Sequence, residues 1–141
     1  MESEENWSEF VKEHLFVGAI LDGVIVLTKR GDSIYSCGNL QDLTQKYYAQ
    51  FLVIFTTTSE EQDSAACQKG FILQTANDDQ EIKYIIYSKN FCSVYAMSRH
   101  NRSGIIVCSL PYGVLIATYS FPCTSVKAIE IVENTCEQLR R

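Results

Sequence analysis

Histidine, proline and tryptophan are nearly missing from this chain: two, two and one among 141 residues. Six cysteines form no C-x-x-C pair, so with only His14 and His100 beside them they offer no zinc-ligand spacing. No G-x-G-x-x-G, P-loop, G-x-S-x-G or H-E-x-x-H occurs. His14 falls on a helical face and His100 in a turn, and neither is spaced to a Ser or Cys nucleophile. The pair Asp78-Asp79 sits in a polar loop, where solvated charge is the ordinary role. These absences exclude the common catalytic constellations and point to a binding module with no metal or cofactor. No apolar run approaches the roughly 18–20 residues of a membrane span. "MESEEN" is acidic, without the apolar stretch of a signal peptide, so a cytosolic protein with free core thiols is expected. The N-x-S sequons at Asn6 and Asn101 are then chance matches. The net charge of −5 excludes a global pull toward nucleic acid or anionic membrane.

What is present is an ordinary globular composition, 46% hydrophobic and 21% charged, enough for one domain with its own core over residues 1–141. An amphipathic helix begins at Asn6, with Trp7, Phe10, Val11, His14 and Leu15 on one face and Gly18 at its end. Two β-rich runs, 24–29 and 33–37, flank Arg30-Gly31-Asp32, which reads as a hairpin turn rather than an adhesion signal. "NLQDLTQKYYAQFLVIF" reads as a helix on Leu40, Leu43, Tyr47 and Phe51, and 59–69 as a polar connector. Five strand-like runs follow, from "FILQT" to "GVLIATYSF", broken at "ANDDQE", "KN", "RHNRSG" and "PYG". That pattern predicts an antiparallel meander. The last segment is a helix capped by Thr124 or Ser125, with Val126, Ile129, Val132, Cys136 and Leu139 as its buried stripe. The simplest packing lays the first and last helices side by side on one face of an antiparallel sheet, with shorter helical segments on the other: an α+β fold.

The series "WSEFVKEHL", Asp22, the strand at 24–27 and Tyr35 resembles the opening of a profilin, and "GIIVCSLPYGVLIATYSFPCTSVKAIEIVENTCEQLRR" is similar to the family's final two strands and closing helix. In "VLIATYS" and "CEQLRR" the likeness is greatest to the divergent fourth vertebrate profilin; residues 40–81 match poorly. The resemblance implies an actin-cytoskeleton regulator, monomeric itself, that binds monomeric actin, proline-rich proteins and phosphoinositides in the cytoplasm.

It also implies sites. Proline-rich ligands would dock on Trp7, Phe10, Tyr35 and Gln138, because flat rings suit pyrrolidine faces and an indole N–H can donate to the ligand's carbonyls. Phe10 lacks the usual hydroxyl, Tyr35 replaces a Trp and Gln138 a His, so this binding is expected to be weak. Lys83, Lys89, Arg99, Arg102 and Lys127 would face actin, although "SFPCTS" replaces the family's glycine-rich loop and Cys67-Gln68 its apolar contacts. Lys89, Arg99, His100 and Arg102 would meet a lipid headgroup. The alternative is a divergent profilin that has lost actin and serves as a lipid- or partner-binding adaptor. A trafficking module of longin or roadblock type also surrounds a sheet with helices, but its first and last helices do not meet.

Overall fold

β-branched runs in the second half of the chain pair as a continuous antiparallel meander: β3 (Phe71–Leu73), β4 (Ile82–Lys89), β5 (Ser93–Ser98), β6 (Ser103–Leu110) and β7 (Gly113–Ser120). An N-terminal hairpin of β1 (Gly23–Thr28) and β2 (Ser33–Gly38) joins through β1 to β7, giving seven strands in the order β2-β1-β7-β6-β5-β4-β3. This computed structural model describes residues 4–75, 78–99 and 102–141.

Helix α1 (Glu4–His14) precedes the hairpin and α4 (Ser125–Arg140) follows β7. Because β1 lies beside β7, the two helices emerge on one face of the sheet. There Trp7, Val11 and Leu15 of α1 and Ala128, Val132 and Cys136 of α4 share one core with Val24, Val26, Ile106, Cys108, Leu115 and Ala117. The Thr135 hydroxyl donates to the Ile131 carbonyl at 2.9 Å within α4 and lies 3.4 Å from the His14 carbonyl, so the two helices touch there. The opposite face packs Ile25, Leu27, Ile105, Val107 and Ile116 against a 3₁₀ turn (Gln45–Tyr47) and α2 (Tyr48–Val53) through Tyr47 and Phe51. Val24, Ile25, Val26 and Leu27 are all fully buried, so β1 is covered on both sides and reads as an unbroken apolar run. Burying a side chain of this size stabilises the fold by about 1.5–3 kcal/mol. The α+β architecture and the shared face of the terminal helices match the sequence expectation.

Four local expectations need correction. Residues 59–69 are no connector: α3 (Glu60–Lys69) forms there. Ser59 Oγ accepts from the Gln62 N–H at 3.1 Å while Gln62 Oε1 accepts from the Thr58 N–H at 2.9 Å, a near-reciprocal cap. Glu60, Glu61 and Asp63 suit the positive end of the helix dipole, and Gly70 at φ +66° ends it. None of its residues is fully buried, so it carries no apolar stripe to reveal it. The helix expected from Leu40 begins only at Gln45; Leu40 and Leu43 are buried from a turn. Val126 is 72% exposed rather than part of the α4 stripe, whose buried members are Ala128, Val132, Thr135 and Cys136. Finally α1 begins before Asn6 and ends at His14, ahead of Gly18.

Candidate functional site

Side chains alternate along a strand, and β4 is apolar on both sides. Ile82, Tyr84 and Ile86 face the α2 side of the sheet, which leaves Lys83, Ile85 and Tyr87 on the side of α1 and α4. Those helices do not reach so far across. Ile85 and Tyr87 are each about half exposed, and Ile85 pairs with Met97 of β5. The Tyr87 and Tyr95 rings stack at a tilt, centroids 6.3 Å apart. Together Ile85, Tyr87, Met97, Ser98 and Arg99 line a cleft of about 350 Å³ closed on one side by Ser125, at the start of α4. Thr124 caps that helix by accepting from the Lys127 N–H at 3.3 Å. Phe121 and Val126 stand exposed on the same approach to α4.

The expected basic residues divide between faces. Lys83 shares the outer face of β4 with Ile85, Arg99 lines the cleft, and Lys127 is exposed on the first turn of α4. Arg102 is exposed just before β6, where its carbonyl accepts from the Phe121 N–H at 2.7 Å. Lys89 is elsewhere. It pairs in register with the core residue Val94, so it faces α3, where its ammonium is hydrogen-bonded to Asp63. That contact holds the Asp63 carboxyl below the usual carboxylate range. Lys89 and Arg99 also lie at opposite ends of the β4–β5 pair, about 17 Å apart along the strands. They do not form one basic cluster. His100 lies outside the described residues.

At the other end of the α1–α4 face the aromatic residues meet. Spacing of three puts Trp7 and Phe10 on one side of α1, with their rings edge to face at 6.1 Å. Phe10 in turn stacks at a tilt on His14, centroids 4.5 Å apart. Trp7 is only 1% exposed, and its Nε1–H has no hydrogen-bond acceptor among the described residues. Tyr35 is half-buried against the same cluster, whereas Gln138 is exposed on α4. Sequence reasoning missed the ring that completes the group. Tyr112, in the turn between β6 and β7, lies edge-on to Trp7 with centroids 6.3 Å apart. Read as turn chemistry in "PYG", it carried no sign of that contact. Burial pushes its phenol up, with Cys136 a smaller cause.

Behind these surfaces α4 is tied to the sheet by polar contacts. Glu133 Oε1 accepts from the buried Ser93 hydroxyl at 2.5 Å and from Cys108 Sγ at 3.3 Å. Burial first, then the Glu133 carboxylate, push the neighbouring Tyr95 phenol up to about 12. Arg140 Nε and Nη2 donate to the carbonyls of Ser109 and Cys92 at 3.0 and 3.1 Å. Among the described residues no group of three His, Cys, Asp or Glu could hold a metal ion. None of their helices is long and apolar enough to cross a membrane.

Solved structures share this arrangement. Schizosaccharomyces pombe profilin superposes with a TM-score of 0.75 at 19% identity, over 94% of this chain and 95% of its own. Acanthamoeba castellanii profilin II does so with 0.73 at 17%, over 93% and 94%. LokiProfilin1, solved in complex with rabbit actin, gives 0.73 at 14%, over 99% and 98%. No curated protein matches the chain. The profilin family model matches residues 5–141, nearly the whole of it, and members of that family are not enzymes. With its terminal helices joined on one face of an antiparallel sheet, the chain belongs to the profilin family.

Proposed function

We propose that this profilin binds monomeric actin on the outer face of β4 and β5 and, more weakly, proline-rich segments beside Trp7, as a cytoplasmic regulator of the actin cytoskeleton. The observation that carries the actin reading is the half-exposed pair Ile85 and Tyr87, with the partly buried Met97 beside them, next to the start of α4. A contiguous apolar patch rimmed by charge marks a protein-binding surface. Its rim is basic, with Lys83, Arg99 and Lys127, which complements an acidic partner such as actin. The chain as a whole carries −5, so attraction is local and gives little long-range steering. LokiProfilin1 was solved on rabbit actin, and its likeness in fold supports the same use of this one.

A phosphoinositide headgroup would meet Arg99 and Arg102 without help from Lys89, so binding there is weak and salt-sensitive. Within the family we place the chain beside the divergent fourth vertebrate profilin, on "VLIATYS" and "CEQLRR". The test is spontaneous polymerisation of pyrene-labelled actin. This protein lengthens the lag, and Ile85→Asp removes the effect. An unchanged lag with folded protein at high micromolar concentration would favour the adaptor reading, in which actin binding has been lost.

A further inference from the structure

The ring expected to hold a ligand is shielded in this chain. Trp7 is 1% exposed, and of the two rings seen in edge contact with it among the described residues, Tyr112 is the more exposed, at 39%, while Phe10 is half-buried. We propose that Tyr112 is the cover of the proline-rich site. Its side chain closes over Trp7 in the free protein and must swing aside before a ligand can reach the indole. The inference rests on the proline-binding reading above and adds a residue and a control step to it.

Three observations carry it. First, the Trp7 Nε1–H is buried with no acceptor among the described residues, a cost that a ligand carbonyl would relieve. A polyproline II segment presents just such groups, because its carbonyls are not used internally and proline has no N–H to compete for them. Second, Tyr112 stands in the two-residue turn at 111–112, and the Lys29 N–H donates to its carbonyl at 3.3 Å. The main chain is thereby fixed to the sheet, while the side chain has solvent on one side, so opening needs a rotamer change and no refolding. Third, Phe10, the other ring in contact with Trp7, is half-buried and packs back on His14 within α1, centroids 4.5 Å apart, so Tyr112 is the ring with more open space to move into.

A site whose competent state is thinly populated shows an apparent Kd raised by that fraction. Removing the cover should therefore strengthen binding, whereas removing a residue that contacts the ligand would weaken it. The experiment compares wild type, Tyr112→Ala and Tyr112→Phe by the emission of Trp7, the only tryptophan, with acrylamide as quencher and a decaproline peptide as titrant. Tyr112→Ala should shift the emission to the red, raise quenching, and lower the decaproline Kd by about fivefold. Tyr112→Phe, which keeps the ring, should behave as wild type. Quenching unchanged in Tyr112→Ala would show that Tyr112 does not shield Trp7, and the proposal fails. Saturable wild-type binding that weakens in Tyr112→Ala would make Tyr112 a ligand contact, overturning the cover while the proline site stands. If neither wild type nor Tyr112→Ala binds decaproline while both are folded, the proline-site reading itself fails and the cover with it.

Discussion

Glu133 of α4 accepts a 2.5 Å hydrogen bond from Ser93 of β5, a serine only 1% exposed. The contact fixes α4 against the strand whose outer face carries Tyr95 and Met97, and thus sets one wall of the proposed actin surface. Hydrogen bonds to charged groups contribute about 1.5–3 kcal/mol, so Glu133→Ala should destabilise the fold by about 2 kcal/mol and Glu133→Gln by less. The urea midpoint measures both. A midpoint unmoved by Glu133→Ala would mean that apolar packing alone holds α4.

Gly104 lies opposite Tyr119 in the β6–β7 register, and a Cβ at Gly104 would collide with the Tyr119 ring. The ring is buried and has nowhere to retreat. Gly104→Ala should therefore cost about 1–3 kcal/mol, typical of overpacking a close-packed core. Tyr119→Leu in the same background should recover part of it. Thermal unfolding of the single and double variants is the check.

Several tyrosines make the fold sensitive to alkali. Burial is the largest cause that raises the phenols of Tyr84, Tyr95 and Tyr119, Tyr95 to about 12. The ordinary value is near 10. The folded state therefore keeps protons that the unfolded chain has already lost. Stability from these groups is full below pH 10 and declines as pH rises through about 12. Urea unfolding followed across that range should show a falling midpoint, and a flat profile would contradict the burial seen here.

On the acid side the Lys89–Asp63 pair acts in the opposite sense. The hydrogen bond from Lys89 is the largest cause that lowers Asp63. Its contribution is present above the ordinary carboxylate range and lost as pH falls through the lowered value. Lys89→Met should return the Asp63 carboxyl upward in an NMR titration. An unchanged titration would mean that the pair does not persist in solution.

Much of this architecture was legible because its elements carry strong periodicity. Trp7, Val11 and Leu15 mark α1, and the β-branched runs from Phe71 to Ser120 mark the meander. Helix α3 was hidden because helix reading depends on a buried stripe and it has none. Its evidence was polar: Ser59 and Gln62 at cap spacing, with Glu60, Glu61 and Asp63 in the first turn. Residues 40–53 misled in the other direction: Leu40 and Leu43 are core residues at helical spacing, but a turn buries them. For the site, counting basic residues picked Lys89, which faces α3, and passed over Ile85, Tyr87 and Met97. The clue was there in "IKYIIY", apolar at both strand parities where a half-covered strand should alternate. Tyr112 left no comparable trace, since its partner Trp7 lies more than a hundred residues away and only the fold brings them together.

The most direct test of the central claim is the equilibrium affinity for monomeric actin of wild type, Ile85→Asp and Lys89→Met. The account predicts saturable wild-type binding, weakened at least about tenfold by a charge at the centre of the apolar row. Lys89→Met should stay close to wild type, because Lys89 faces α3. Wild-type binding that Ile85→Asp leaves intact, or no wild-type binding at all, would contradict it.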